Sequence, residues 1–248
     1  MHPTSRSASA VEPNLFSATS WMPDALPHRA ILRARSSHCS LPIFCLQIFY
    51  PIALLPSAEP FDLPVTLVPT GEISAKWREL QSRIFADEKT IAACHSNEST
   101  CSHAARRFLS IVKLGRKHEG RARLGWLNRA VNMTIKPASD WAQYGDADYW
   151  ASPLQTLGSG AGDCEDYAIV KYVALRELGV DADDLRVVIV RDDKRLIEHA
   201  VLAVRSERKW LVLDNRTMAI LNTEDVRNYR PLFALNSTRA LAVATVDR

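Results

Sequence analysis

Three stretches in the first half of the chain carry apolar residues at helical spacing. In "SAKWRELQSRIF", Trp77, Leu80 and Ile84 share one face, with Ser74 placed as an N-cap. In "SHAARRFLSIVKLG", Phe108, Leu109 and Val112 do so, and Gly115 supplies a stop. In "EGRARLGWLNRAVNMTI" the stripe is Leu124, Leu127 and Val131. Periodicity then lapses from Lys136 to Gly162, a segment rich in aromatics: Trp141, Tyr144, Tyr149 and Trp150. Such rings either pack over the core or line a groove on a rigid scaffold. From Asp163 the helical pattern returns, with Cys164, Ala168, Tyr172, Leu175 and Leu178 on one face, Lys171 and Glu177 off it, and Gly179 as the stop. Beyond it, "LRVVIVR", "HAVLAVR" and "WLVLDN" are β-branched and separated by charged turns, as strands are. Helices followed by strands predict an α+β domain with a mostly antiparallel sheet and no internal repeat.

The chain has 248 residues, enough for one sizeable core, and a net charge of +3 that calls for no polyanion. The basic run "GRKHEGRAR" has neither aromatic interleaving nor a nucleic-acid reader motif, so it reads as a solvated helix face, and no nucleic-acid partner is expected. Residues 1–40 lack periodicity and are expected to be a disordered lead or an over-long start. The apolar run from Leu41 to Pro60 follows Arg29, Arg33 and Arg35. It is short for a membrane span, and Pro42 and Pro51 break it. With small residues at Ser57 and Ala58 it has the form of a secretory signal, an uncleaved anchor being the alternative. The expected organisation is therefore a lead and signal over 1–58 and one exported domain over 59–248. Removal of the lead would discard Cys39 and Cys45. Cys94 and Cys101, bracketing the polar loop "HSNEST", would then form a disulfide and leave Cys164 as a free thiol.

That thiol sits in "GDCED", at the start of a helix and between acids. A hairpin centred between Ser206 and Glu207 pairs His199 directly with Asp214, Val201 with Val212 and Ala203 with Trp210. The His199 and Asp214 Cβ atoms would then be ~5 Å apart on one sheet face. A helix packed on that face could offer Cys164 to an imidazole oriented by a carboxylate, the parts of a cysteine acyl-transfer site.

"GDCEDYAIVKYVALRELG", "LRVVIVRD", "HAVLAV" and "VLDNRT", together with "YGDADYWASPLQTL", resemble the bacterial transglutaminase-like cysteine proteinase family over about Trp77 to Asn236. The resemblance implies a papain-like or transglutaminase-like core with N-terminal helices, an antiparallel sheet and the nucleophile at a helix N-terminus. It implies Cys164 as nucleophile, His199 as general base, Asp214 as orienter, and calcium dependence through Asp163 and Glu165. It further implies a periplasmic endopeptidase that releases a large surface adhesin and so controls biofilm attachment. An inner-membrane cyclic-di-GMP receptor would sequester it.

The residues give calcium a reason of their own. Asp163, Glu165 and Asp166 favour the helix dipole, but left bare they would raise the pKa of Cys164. A bound Ca²⁺ prefers such oxygens and reverses the local field, although no twelve-residue EF-hand loop is present. The backbone N–H of Cys164 is the expected oxyanion donor; the sequence does not fix the second, for which Gln155 and Trp150 are candidates. A transglutaminase-type acyl transferase shares this machinery. An idle calcium-binding module that docks a membrane receptor would also keep the acids.

Overall fold

The sheet and the helix carrying Cys164 decide where everything else lies. The computed structural model describes residues 59–62, 65–68, 70–237 and 240–243. These fall within one unit, residues 53–248. The expected lead and signal over 1–58 lie outside the described residues. Among the described residues no helix is long and apolar enough to cross a membrane.

In chain order the elements are β1 (Val65–Val68), α1 (Glu72–Ser96), α2 (His103–Gly115), α3 (Gly120–Thr134), β2 (Lys136–Pro137), α4 (Asp140–Tyr144), α5 (Pro153–Ser159) and β3 (Ala161–Gly162). Then come α6 (Cys164–Glu177), β4 (Leu185–Asp192), β5 (Ile197–Ser206), β6 (Lys209–Leu213), β7 (Leu221–Asn222), β8 (Tyr229–Leu235) and β9 (Ala240–Val243). Seven strands form one sheet in the order β1-β9-β8-β4-β5-β6-β7, with every pairing antiparallel, while β2 and β3 form a small parallel pair. This is the α+β architecture that the pattern predicts.

The three N-terminal helices form where the stripes place them, with one difference at the first. Ser74 is buried inside α1, and the N-cap is Gly71. Ser102 caps α2 by accepting from the Ala105 N–H, and the Cys94–Cys101 disulfide ties the end of α1 to the start of α2.

Helix α6 is the hub, in contact with α2, α3, α5, β4 and β5. Its C-terminus closes through Gly179 at φ 84°, with Gly179 N–H donating to Arg176 and Val180 N–H to Leu175. Enclosure on every side overturns the one-face reading of this helix: Lys171, expected off the buried face, is fully buried with α6's apolar residues. Burial pushes its ammonium down to about 7, opposed by the Asp214 charge.

The sheet buries both faces. Ala200, Leu202, Val204, Leu211 and Leu213 pack inward with α6, whereas Val188, Val190, Val201, Ala203, Trp210, Val212 and Val226 form a second apolar cluster on the outer face.

Candidate active site

Cys164 is the first residue of α6, behind the N-cap Asp163. Strand β6 pairs with β5 only from Leu202↔Leu213 onward, so β5 has no β6 partner from Ile197 to Val201. The start of α6 meets this edge: the Ala200 N–H faces the Cys164 sulfur and favours its thiolate. The sulfur therefore lies beside the residue that follows His199.

His199 and Asp214 are both buried, and His199 Nε2 is 2.9 Å from Asp214 Oδ1. Their pairing differs from the expected one. The turn is the two-residue Glu207–Arg208, both with positive φ (50° and 67°), and it joins Ser206 to Lys209. Ala203 thus pairs with Val212 and Arg205 with Trp210, two positions away from the expected register. A shift of two preserves faces, and Asp214, just past the end of β6, still reaches His199 diagonally. The face itself is also corrected. Val201 and Val212 belong to the outer cluster, and His199, two residues from Val201, lies on that side, whereas α6 packs on the inner face; the helix carrying the thiol is not laid on the face of His199.

Burial works against the Asp214 charge, yet the His199 bond and charge, the Arg216 N–H (2.9 Å to Oδ1) and the Tyr229 hydroxyl (2.7 Å to Oδ2) lower its pKa to about 2. The other imidazole nitrogen, Nδ1, is buried with no hydrogen-bond partner among the described residues. It is the atom left to exchange a proton. Cys164 is the free cysteine among the described residues. Its thiol donates to Glu165 Oε2 at 3.2 Å, and burial followed by the Glu165 charge pushes its pKa well up. With the acids unbalanced Cys164 is held as a thiol.

Asp163 and Glu165 are joined by an acid that sequence spacing does not single out. Asp140, Asp163 and Glu165 each offer one oxygen, and the three lie within 4.8 Å of one another. Asp140 starts α4, far upstream in the chain, and the β2–β3 pairing brings it there: Pro137 pairs with Gly162, and the Ala138 N–H donates to Gly162. Burial first and then neighbouring carboxylates raise Asp163 to about 8 and Asp140 to about 6. Asp140 Oδ1 and Asp163 Oδ1 are buried with no hydrogen-bond partner among the described residues. Oxygen donors, surplus negative charge and unpartnered lone pairs fit a hard dication such as Ca²⁺.

Asp166 supports this corner from below. Its Oδ1 accepts from the Ala151 N–H at 2.9 Å, and burial with the Asp163 charge raises it to about 8. It lies so close to Gly162 that a Cβ there would come within 2.5 Å of Asp166 Oδ2, which is why "GDCED" needs its glycine.

The two other expected groups are engaged elsewhere. Gln155 completes the capping box of α5, accepting from the Ser152 N–H and donating to the Tyr149 hydroxyl. Trp150 packs edge-on against Trp77 and donates to Asp148, so this ring is core packing. Trp141, by contrast, is 72% exposed.

The family model described as "Bacterial transglutaminase-like cysteine proteinase BTLCP" matches residues 89–237. Among solved structures, Legionella pneumophila LapG is similar at 26% identity, covering 63% of this chain and 87% of that one, with a TM-score of 0.51. Its calcium-bound form has the same identity and coverage and a TM-score of 0.52. The EGTA-treated form, also 26% identical, covers 64% and 85% at 0.52. No curated protein matches the chain.

Proposed function

The chain belongs to the bacterial transglutaminase-like cysteine proteinase family, and on that premise we propose that it is an exported, calcium-dependent cysteine endopeptidase acting on a large cell-surface adhesin. One observation carries the reading. A free cysteine opens a buried helix against the backbone of Ala200, and the preceding residue is a buried histidine bonded to an ionised aspartate.

In this mechanism His199 takes the Cys164 proton through Nδ1, and the sulfur forms a bond to the scissile carbonyl carbon. Asp214 holds the imidazole by Nε2 and balances the imidazolium. The N–H of Cys164, among the helix's first unpaired amides, faces the developing oxyanion. His199 returns the proton to the amine as the C–N bond breaks. Water, deprotonated by His199, then releases the acyl group as a carboxylate and restores the thiol.

Asp140, Asp163 and Glu165 would hold calcium, whose charge would offset the carboxylates around the thiol. Glu165, so engaged, would no longer accept from Cys164. Support for calcium is the acidic cluster here and the calcium-bound form of Legionella LapG. A periplasmic location, control of biofilm attachment and sequestration by a cyclic-di-GMP receptor complete the proposal as the family resemblance implies it.

The test is to incubate the purified protein and Cys164→Ala with surface proteins of the producing organism, with Ca²⁺ or excess EGTA, and map new N-termini by mass spectrometry. The expected result is one or a few cleavages in a large surface protein that require both Cys164 and Ca²⁺. Labelled-amine incorporation without new termini would instead identify an acyl transferase. Equal cleavage by Cys164→Ala would overturn the mechanism.

A further inference from the structure

The geometry points to Tyr229 as a positioning residue for the His199–Asp214 pair, placed there by a β-bulge in β8; the inference rests on the peptidase reading above. The phenol donates to Asp214 Oδ2 at 2.7 Å, while Oδ1 serves His199 Nε2 at 2.9 Å and the Arg216 N–H. Its ring also stands edge-on to the imidazole, with centroids 5.6 Å apart and planes at 64°. One side chain thus touches both members of the pair. It occupies the second Asp214 oxygen, which fixes the plane of the carboxylate and leaves Oδ1 toward the imidazole. The ring limits the tilt of the imidazole.

The register explains why a residue of β8 can do this although β4 lies between β8 and β5. From Val187 to Ile189, β4 pairs with Leu235 to Phe233; at Val190 the partner becomes Pro231, leaving Leu232 as the extra residue. Continued without that bulge, the ladder would set Arg230 opposite Asp192. With it, Tyr229 takes that place. Opposed residues share a face, and on β4 Asp192 alternates with Val190, the cross-strand partner of His199. A one-residue slip exchanges faces, so the bulge turns Tyr229 onto the face of His199 and sends Arg230 to the other. The preceding residue is fixed as well: Asn228 donates to Asp192 Oδ1 at 3.0 Å, and its carbonyl accepts from the Asp193 N–H. Burial and the Asp214 charge push the phenol pKa up, so Tyr229 stays a donor whenever Asp214 is ionised.

Tyr229→Phe keeps the ring and removes the hydroxyl. With Ca²⁺ present, the protein and this variant are compared on a fluorogenic peptide spanning the bond mapped above. The expected result is a fall of about tenfold in kcat with KM changed by less than about twofold, the loss of one charge-assisted hydrogen bond acting in the transition state. A second reading needs no substrate: ¹³C-detected titration of the Asp214 carboxyl should move up by roughly one unit in the variant. Unchanged kcat and an unchanged Asp214 titration, with only the melting temperature lowered, would make Tyr229 a packing residue and overturn the inference. That outcome is distinct from failure of the peptidase reading, which would appear as cleavage indifferent to Cys164→Ala.

Discussion

Asp214→Asn separates the charge of the carboxylate bonded to His199 from its shape. The asparagine amide oxygen can still accept from His199 Nε2, so the change removes mainly the ionised state. In the folded protein the Asp214 pKa falls from 3.8 to about 2, because the His199, Arg216 and Tyr229 interactions outweigh burial. Its folded value is depressed, so its contribution to stability is present above the unfolded value and lost as pH falls from about 4 toward 2. A shift of nearly two units corresponds to about 2 kcal/mol. Urea unfolding of the protein and of Asp214→Asn, at half-unit steps from pH 7 to pH 2, isolates this group, since every other carboxyl titrates in both. The expected result is a stability deficit of about 2 kcal/mol in the variant that is level from pH 7 to about pH 5 and closes at the acid end. A deficit of the same size at every pH would refute the reasoning: the loss would then come from packing, with no contribution from an ionised Asp214.

Three further outcomes are expected. Asp140→Asn, Asp163→Asn and Glu165→Gln should each weaken Ca²⁺ binding by isothermal titration calorimetry and reduce the rise in melting temperature on adding Ca²⁺; unaltered titrations would remove the three acids as ligands. Gly162→Ala should destabilise by roughly 1–3 kcal/mol in denaturant unfolding, because Asp166 must leave the space the new Cβ needs. Replacing both Cys94 and Cys101 by serine should lower stability by about 2–3 kcal/mol under non-reducing conditions, the range for a short closed loop.

Local patterns carried the helices and the chemistry far. Periodicity alone placed α2 and α3, and the polar loop between two cysteines, taken with an expected exported compartment, pointed to the Cys94–Cys101 bridge that the structure has. Cys164 at a helix start, His199 on a strand and Asp214 at the end of the next were legible because each depends on a short run of residues. What was not legible depends on partners distant in the chain. The Glu207–Arg208 turn lacks the asparagine or glycine that usually signals two left-handed residues, so the hairpin register was decided by how the strands pack. Lys171 looks like a solvent-facing residue until three helices and a sheet close around α6.

Asp140 joins Asp163 and Glu165 only through the β2–β3 pairing. Tyr229 reaches His199 only because Leu232 bulges out of the ladder. The chain itself determined which groups are on offer, since thiol, imidazole and carboxylate are matters of residue type and local helix or strand propensity. Which oxygens converge on the acidic corner, and that the thiol meets the Ala200 backbone where β5 has no β6 partner, only the tertiary structure decided, because both follow from strand register and from where β6 stops pairing.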